Sequence, residues 1–253
     1  MKNGLNGTDL KRLALFAMLL DHIGAVLIPA LVSAVPAGSV PSLPYGTEPA
    51  VFLSALAVGL RFVGRISMPI YCFLLVEGFS LTTDLRRYLL SIGIFAVLSE
   101  VPFDLACFGT PHHFGLENVF FTLFLGLLFM AGDAGIFRRI KKPTAQIVLR
   151  VLNFTFFSVA AQAIGCDYGI IGIMLIAAFY YFRTDPRNRA ILAGFICILE
   201  SVSYLGAAAL SLVPISAYNG ERGPVRHKYF YYAFYPAHLL LLYALVRICL
   251  SSG

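Results

Sequence analysis

Asp21 and His22 stand side by side in the middle of an apolar run, where neither is needed to hold a helix together. A neutral imidazole can take a proton from an incoming nucleophile, and a nearby carboxylate can orient the ring and stabilise its charged form. Further ionisable residues interrupt other apolar runs: Arg61, Arg65, Glu77, Glu100, Asp104 and Glu200. Each costs about 2.5 to 3.5 kcal/mol near a bilayer centre, so each must face a protein interior and find a partner there. A set of structural ion pairs would also satisfy that rule, and Glu200 in particular reads so.

Spacing sorts these residues. Glu100 and Asp104 are one helical turn apart, as are Arg61 and Arg65, so each pair shares a face. Adjacent helical residues point roughly 100° apart, which turns Asp21 away from His22 and towards an arginine on another helix. Glu100 then becomes the carboxylate expected to orient His22. Along their helices, His22, Glu100 and His238 fall at similar depths, about 18, 20 and 14 Å from the respective ends, so His238 is a rival base. Pro69, Pro102 and Pro236 each leave a carbonyl without its helical partner, at Arg65, Leu98 and Tyr232. His112 and His113 lie in a polar connection and are expected to be solvated.

The elements that must carry these side chains are membrane spans. Hydrophobic residues make up 59% of the 253 and charged residues 13%, with a mean hydropathy of +0.82. Such a chain has too little polar surface for a soluble domain. Its apolar runs are helix-length and lack period-two alternation, which predicts an all-α, polytopic membrane bundle in one domain, 1–253. The runs are 10–32, 51–81, 87–106, 117–132, 144–164, 168–183, 189–214 and 229–250. That makes about eight transmembrane helices, or nine if the second run breaks near Arg65 and Pro69. The first, with Asp21 and His22 at its middle and no small-residue cleavage pattern, reads as a span and not a signal peptide.

The net charge of +6 is spread over short connections and forms no stripe, so nucleic acid is not an expected partner. Lys2, Lys11 and Arg12, then Arg86 and Arg87, then Arg138, Arg139, Lys141 and Lys142, then Arg183, Arg187 and Arg189 occupy alternate connections. This alternation predicts both termini in the cytoplasm. Arg222, Arg226 and Lys228 break the rule, since they fall on the predicted outer side. Cys72, Cys107, Cys166, Cys197 and Cys249 show no metal-ligand spacing and read as core residues, and no metal is expected.

Seven stretches in order resemble the TraX family, membrane proteins associated with N-acetylation of conjugative pilin. They are LKRLALFAMLLDHIG (10–24), RFVGRISMPIYCFLLVEGF (61–79), SEVPFD (99–104), ENVFFTL (117–123), CDYGIIG (166–172), YNGERG (218–223) and KYFYYAFYPAHLLLLY (228–243). The resemblance, with the family's link to wider transmembrane acyltransferases, implies a multi-pass protein of the bacterial cytoplasmic membrane. It also implies an acetyl-CoA donor and a catalytic histidine in the first span, a role that falls on His22 with Asp21 and Glu100 in support. The acceptor would be membrane-associated, a pilin amine or an envelope glycan.

The expected binding set comprises Arg61, Arg65, Glu77, Asp104, Asn118, Asp167, Asn219, Arg222, Lys228, Tyr235 and His238. Within it, Arg65, with Arg86 and Arg87 beside it, is expected to hold the CoA phosphates, Asn118 or Tyr235 to donate to the thioester oxygen, and Asn219, Arg222 and Lys228 to border an outer entry for the acceptor. A proton-coupled transporter is the alternative, because carboxylates, histidines and kinked helices also line transport paths, although no inverted repeat is visible.

Overall fold

A computed structural model describes residues 4–34, 49–224 and 228–251, with the side chain of Lys228 outside the described set. Among those residues helices joined by short connections make up the fold, with no strand and only two isolated β-bridges, Leu5 with Tyr218 and Glu117 with Cys166. Six helical stretches are long and apolar enough to cross a membrane. α1 (Gly7–His22), a π-helical turn (Ile23–Leu27) and α2 (Ile28–Ala34) form the first. α3 (Pro49–Gly64) and α4 (Ser67–Leu81) form the second. α5 (Leu85–Phe108), α6 (Val119–Arg139), α7 (Pro143–Ile164) and α11 (Lys228–Ser251) are the others. Between α7 and α11 lie α8 (Gly169–Tyr181), α9 (Pro186–Glu200), two 3₁₀ turns (Val202–Tyr204 and Ala207–Ser211) and α10 (Leu212–Ser216).

Local chemistry sets where these helices begin and end. Asn6 caps α1 with its side chain while Asp9 reaches back to the Asn6 amide, a capping box. Asp84 and Asn118 cap α5 and α6. Glycines in the left-handed region close α5 (Gly109, φ 72°) and α7 (Gly165, φ 82°). The second stretch breaks at Arg65 and Ile66, just before α4, in which Pro69 holds the third position. There the missing N–H costs no helical bond, because the first turn has no partner to lose.

The core is apolar and aromatic, built around Phe73, Phe129, Phe179, Leu10, Ile70, Leu127 and Met130, all under 2% exposed. The outer faces are apolar as well: Leu90, Ile94, Val97 and Leu98 on α5 and Ile147, Val151 and Phe156 on α7 are exposed. A surface of this kind is suited to acyl chains and would drive association in water.

The order of elements at the two ends corrects the expected topology. The segment 217–224 lies against the start of α1: Leu5 N donates to Ala217 O at 2.8 Å and Gly7 N to Glu221 O at 2.8 Å. Arg222 also donates to Leu81 O at the end of α4. The run 189–214, expected to be a span, therefore does not cross. α9 rises to Glu200, turns sharply through Leu205 (φ 54°) and Gly206 (φ 75°), and the chain returns beside it to the end it left. Ser201 holds this turn, donating to Cys197 O at 2.6 Å and accepting from Ala208 N at 3.0 Å.

α11 consequently starts at the same end as α1 and runs parallel to it, with Lys11 Nζ 5.6 Å from the Tyr231 ring centroid near the start. The expectation that both termini share one end thus fails, since the last described residues lie at the opposite end. Arg222 ceases to be an exception, because it occupies the same end as Lys11, Arg12 and Arg87. In a background without native thiols, single cysteines at Glu221 and Arg12 should react with an impermeant maleimide from one face, and one at Phe114 from the other. Labelling of Glu221 and Phe114 positions from the same face would reject this fold-back.

Candidate functional site

His22 ends α1, where the following π-helical turn and the absence of a side chain at Gly24 let α3 come close. A Cβ at Gly24 would sit 2.8 Å from Ala57 O and 3.1 Å from Arg61 Cγ. π-Turns within helices recur at functional sites because the extra residue redirects the side chains around it. Against His22 lies His238 of α11. His238 Nε2 is 3.0 Å from His22 Nδ1, the ring centroids are 4.9 Å apart, and His238 is 4% exposed. His22 Nδ1 also meets Met18 O at 2.9 Å, and His238 Nδ1 meets Phe234 O at 2.8 Å. Phe234 stacks on the His238 ring, and Tyr235 meets His22 edge-on at 5.8 Å. Residues expected at like depth, and treated as rivals, are a contacting pair.

Beside the pair is a buried ionic network. Arg65 donates from one Nη to both oxygens of Asp21 at 2.7 Å and from the other to Glu200 at 3.3 Å. All three side chains are under 15% exposed. Arg61 donates to the Tyr204 hydroxyl at 2.7 Å, and the Tyr204 ring lies within 5.6 Å of both guanidiniums. Asp21 therefore pairs with an arginine from another helix, as its direction on α1 required. Asp167 and Tyr168, in the connection before α8, lie within electrostatic reach of Arg65. Glu200 and Tyr204 come from the fold-back, so that hairpin is fixed to the core by charge. Gly64 makes room for Asp21, and a Cβ there would fall within that side chain. Gly64→Ala should cost about 1 to 3 kcal/mol of stability by overpacking. Gly59→Ala, where a Cβ meets nothing within 4 Å, should cost far less in the same unfolding titration in mixed micelles.

Several expected roles fall elsewhere. Glu100 does not face His22; it accepts from the Asn118 amide group and, at 3.4 Å, from the Asn118 backbone. Asn118 in turn donates to Ala96 O at 2.8 Å while its oxygen caps α6, so its donors are spent and it is no oxyanion donor. The reason is local: a helix N-terminus one turn across from Glu100 offers closer donors than an imidazole on α1. Asp104 accepts from His113 N at 2.8 Å, His113 stacks on Phe108, and both His112 and His113 are exposed. Asn219 accepts from Glu221 N within its own turn, at the N-terminal end and not the opposite one. Glu77 is paired bidentately with Arg183 at 2.8 and 3.1 Å. Arg65, tied to two carboxylates mid-bundle, is not available for phosphates.

A cavity of about 510 Å³ lies between the start of α1 and the side chains around the histidines. Lys11, Arg87 and Arg222 stand at its mouth with Thr82, Thr83 and Asp84. Tyr71, Tyr88, Tyr231 and Tyr232 line its walls, and Met18, Phe120 and Tyr235 form its inner end. Met18 is the residue whose carbonyl meets His22, and Tyr235 the ring that touches it, so the cavity stops one side chain short of the pair. Lys11, Tyr204 and the tyrosines of 71, 88, 231 and 232 were not singled out from the sequence. The aromatic density of 229–235 was the available signal, but it reads equally as an interfacial belt.

The fold and site define an integral membrane helical bundle with a histidine pair just beyond the inner end of a cavity. The chain belongs to the TraX family, whose model, described as TraX protein, matches residues 6–246. It is also similar to the probable fimbrial assembly protein FimC, serogroup H1, of Dichelobacter nodosus. That protein is 30% identical over 208 residues, covering 72% of this chain and 81% of its own length. No solved structure matches the chain.

Proposed function

We propose that this protein is a membrane acetyltransferase that moves an acetyl group from acetyl-CoA to an amine or hydroxyl of a membrane-associated acceptor, with His22 as general base. The observation that carries the proposal is the cavity running from a basic mouth to Met18 and Tyr235, the two residues that meet His22. Three cations at a rim suit a polyanionic donor, and an aromatic, largely apolar channel suits a thin thioester-bearing arm. Its volume lies within the range of small-molecule sites, about 300 to 1,000 Å³. Arg87 keeps the phosphate-binding part expected of it, while Lys11 and Arg222 take the place of Arg65. Tyr235, at the inner end, is placed to donate to the thioester oxygen.

In this reading the N-terminal end faces the cytoplasm, where acyl-CoA is made. α1–α2, α3–α4, α5, α6, α7, α8 and α11 each cross the membrane, and α9 with α10 enters and leaves by the cytoplasmic face. The positive-inside pattern then holds for Lys11, Arg12, Arg86, Arg87, Arg138, Arg139, Lys141, Lys142, Arg183, Arg187, Arg189 and Arg222, while Arg247, near the end of α11, lies towards the outer side. Membership of the TraX family and likeness to a fimbrial assembly protein favour a pilin-type acceptor over a glycan.

The test is acceptor-dependent release of free CoA from acetyl-CoA by the purified protein in nanodiscs, with acceptor-bearing membranes supplied. Mass spectrometry should find one added acetyl group per modified acceptor. Absence of thioester consumption under these conditions, together with uptake of a solute by proteoliposomes, would favour transport instead.

A further inference from the structure

The hydrogen-bond partners of the two histidines fix where their protons lie. A carbonyl oxygen only accepts, so a ring nitrogen facing one within hydrogen-bond distance must carry a proton. His238 Nδ1 faces Phe234 O at 2.8 Å, which leaves the lone pair of a neutral His238 on Nε2. That nitrogen is 3.0 Å from His22 Nδ1, which itself faces Met18 O at 2.9 Å. With both rings in the Nδ1–H form, His22 shares its N–H between Met18 O and His238 Nε2, and each contact pairs a donor with an acceptor. The opposite tautomers would set lone pairs against both carbonyls. The assignment follows from the partners alone.

We infer that His238 is a positioning residue that holds His22 in the Nδ1–H form, leaving His22 Nε2 as the basic atom, and that His238 Nε2 accepts a hydrogen bond from the Nδ1–H that strengthens as His22 becomes charged. The groups that would otherwise serve are committed elsewhere: Asp21 to Arg65 and Glu100 to Asn118. His238 thus holds the place that a carboxylate holds in many base–orienter pairs, but as a neutral acceptor. Phe234 stacked at 5.0 Å with an interplanar angle of 16° keeps its ring from turning away.

This inference rests on the acetyl-transfer reading for its chemical step. As the acceptor nitrogen or oxygen bonds to the acetyl carbonyl carbon, its proton passes to His22 Nε2, and the Nδ1 proton stays on His22, its charge stabilised by the lone pair of His238 Nε2 and by Met18 O. The carbon–sulfur bond then breaks with its electron pair on sulfur. The CoA thiolate takes the proton from His22 Nε2, so the pair ends as it began.

The test uses the full chain in nanodiscs with ¹⁵N-labelled histidine. Nitrogen NMR should show both rings as Nδ1–H, with a coupling between His22 Nδ1 and His238 Nε2. His238→Gln, whose amide oxygen can stand where Nε2 stands, should keep His22 as Nδ1–H; His238→Ala should leave it a tautomer mixture. In turnover, His238→Ala should lower kcat about 10- to 100-fold, the usual cost of removing a histidine's orienting partner, with KM for acetyl-CoA unchanged. His238→Gln should recover most of the loss, which a merely space-filling role would not predict. An Nε2–H His22 in the wild-type protein, or wild-type kcat in His238→Ala, would overturn the inference. If no thioester is consumed at all, acetyl transfer fails as a reading, while the NMR tautomers still decide whether His238 sets His22.

Discussion

His22→Ala is expected to lower turnover by about 10² to 10⁴-fold, equivalent to about 3 to 5 kcal/mol of transition-state stabilisation, the usual contribution of a positioned base. Affinity for CoA should stay within a factor of a few, because the basic mouth of Lys11, Arg87 and Arg222 lies at the far end of the cavity from His22. Single-turnover measurements alongside CoA binding separate the two effects. Loss of both would make His22 a wall of the donor site, and near-normal turnover in folded protein would remove it as the base. Either result would shift attention to His238, which is close enough to take over the contact from α11.

The second large effect concerns stability. Arg65→Met removes the cation shared by Asp21 and Glu200 and leaves two carboxylates buried without it. Breaking a buried ion pair from one side costs about 3 to 5 kcal/mol, since the remaining charge keeps its desolvation penalty. Arg65→Lys keeps the charge but loses the fork that bonds both carboxylates at once, so its cost should be smaller. Equilibrium unfolding in mixed micelles measures both variants. A loss below about 1 kcal/mol for Arg65→Met would mean that water reaches Asp21 and Glu200 and that the network does not hold the fold-back in place. The network joins α1, the α3–α4 break and the tip of α9, so the same substitution should also raise proteolysis near 201–206.

Much of this was legible beforehand. Apolar runs of helix length placed every helix that crosses the bundle, since backbone groups in hydrocarbon have few other ways to be satisfied. The break near Arg65 and Pro69 was legible in a run too long for one straight crossing and in the Gly64 and Pro69 within it, and the pairing of Asp21 with an arginine from another helix followed from the 100° between neighbours. What hydropathy could not separate was a crossing from a hairpin that turns back. Residues 189–214 are apolar enough for a span, and the turn that reverses them depends on Leu205 and Gly206 adopting positive φ and on Ser201 bonding both strands of the reversal. Counting the run as a span reversed the apparent side of Arg222 and of all that follows.

The sequence by itself determined that this chain lives in a membrane, that its buried charges must pair, and that both histidines lie in the middle part of their helices, because length, hydropathy and helical rise act locally along the chain. The tertiary structure decided the partners. Which carboxylate reaches an imidazole or a guanidinium depends on helix direction and on distances across the bundle, and a span read in the wrong direction points its side chains at the wrong neighbours. Thus Glu100, expected beside His22, found the nearer amide of Asn118. His238, placed at a similar depth from a helix taken to run the other way, proved to be the group in contact with His22 once α11 was set parallel to α1.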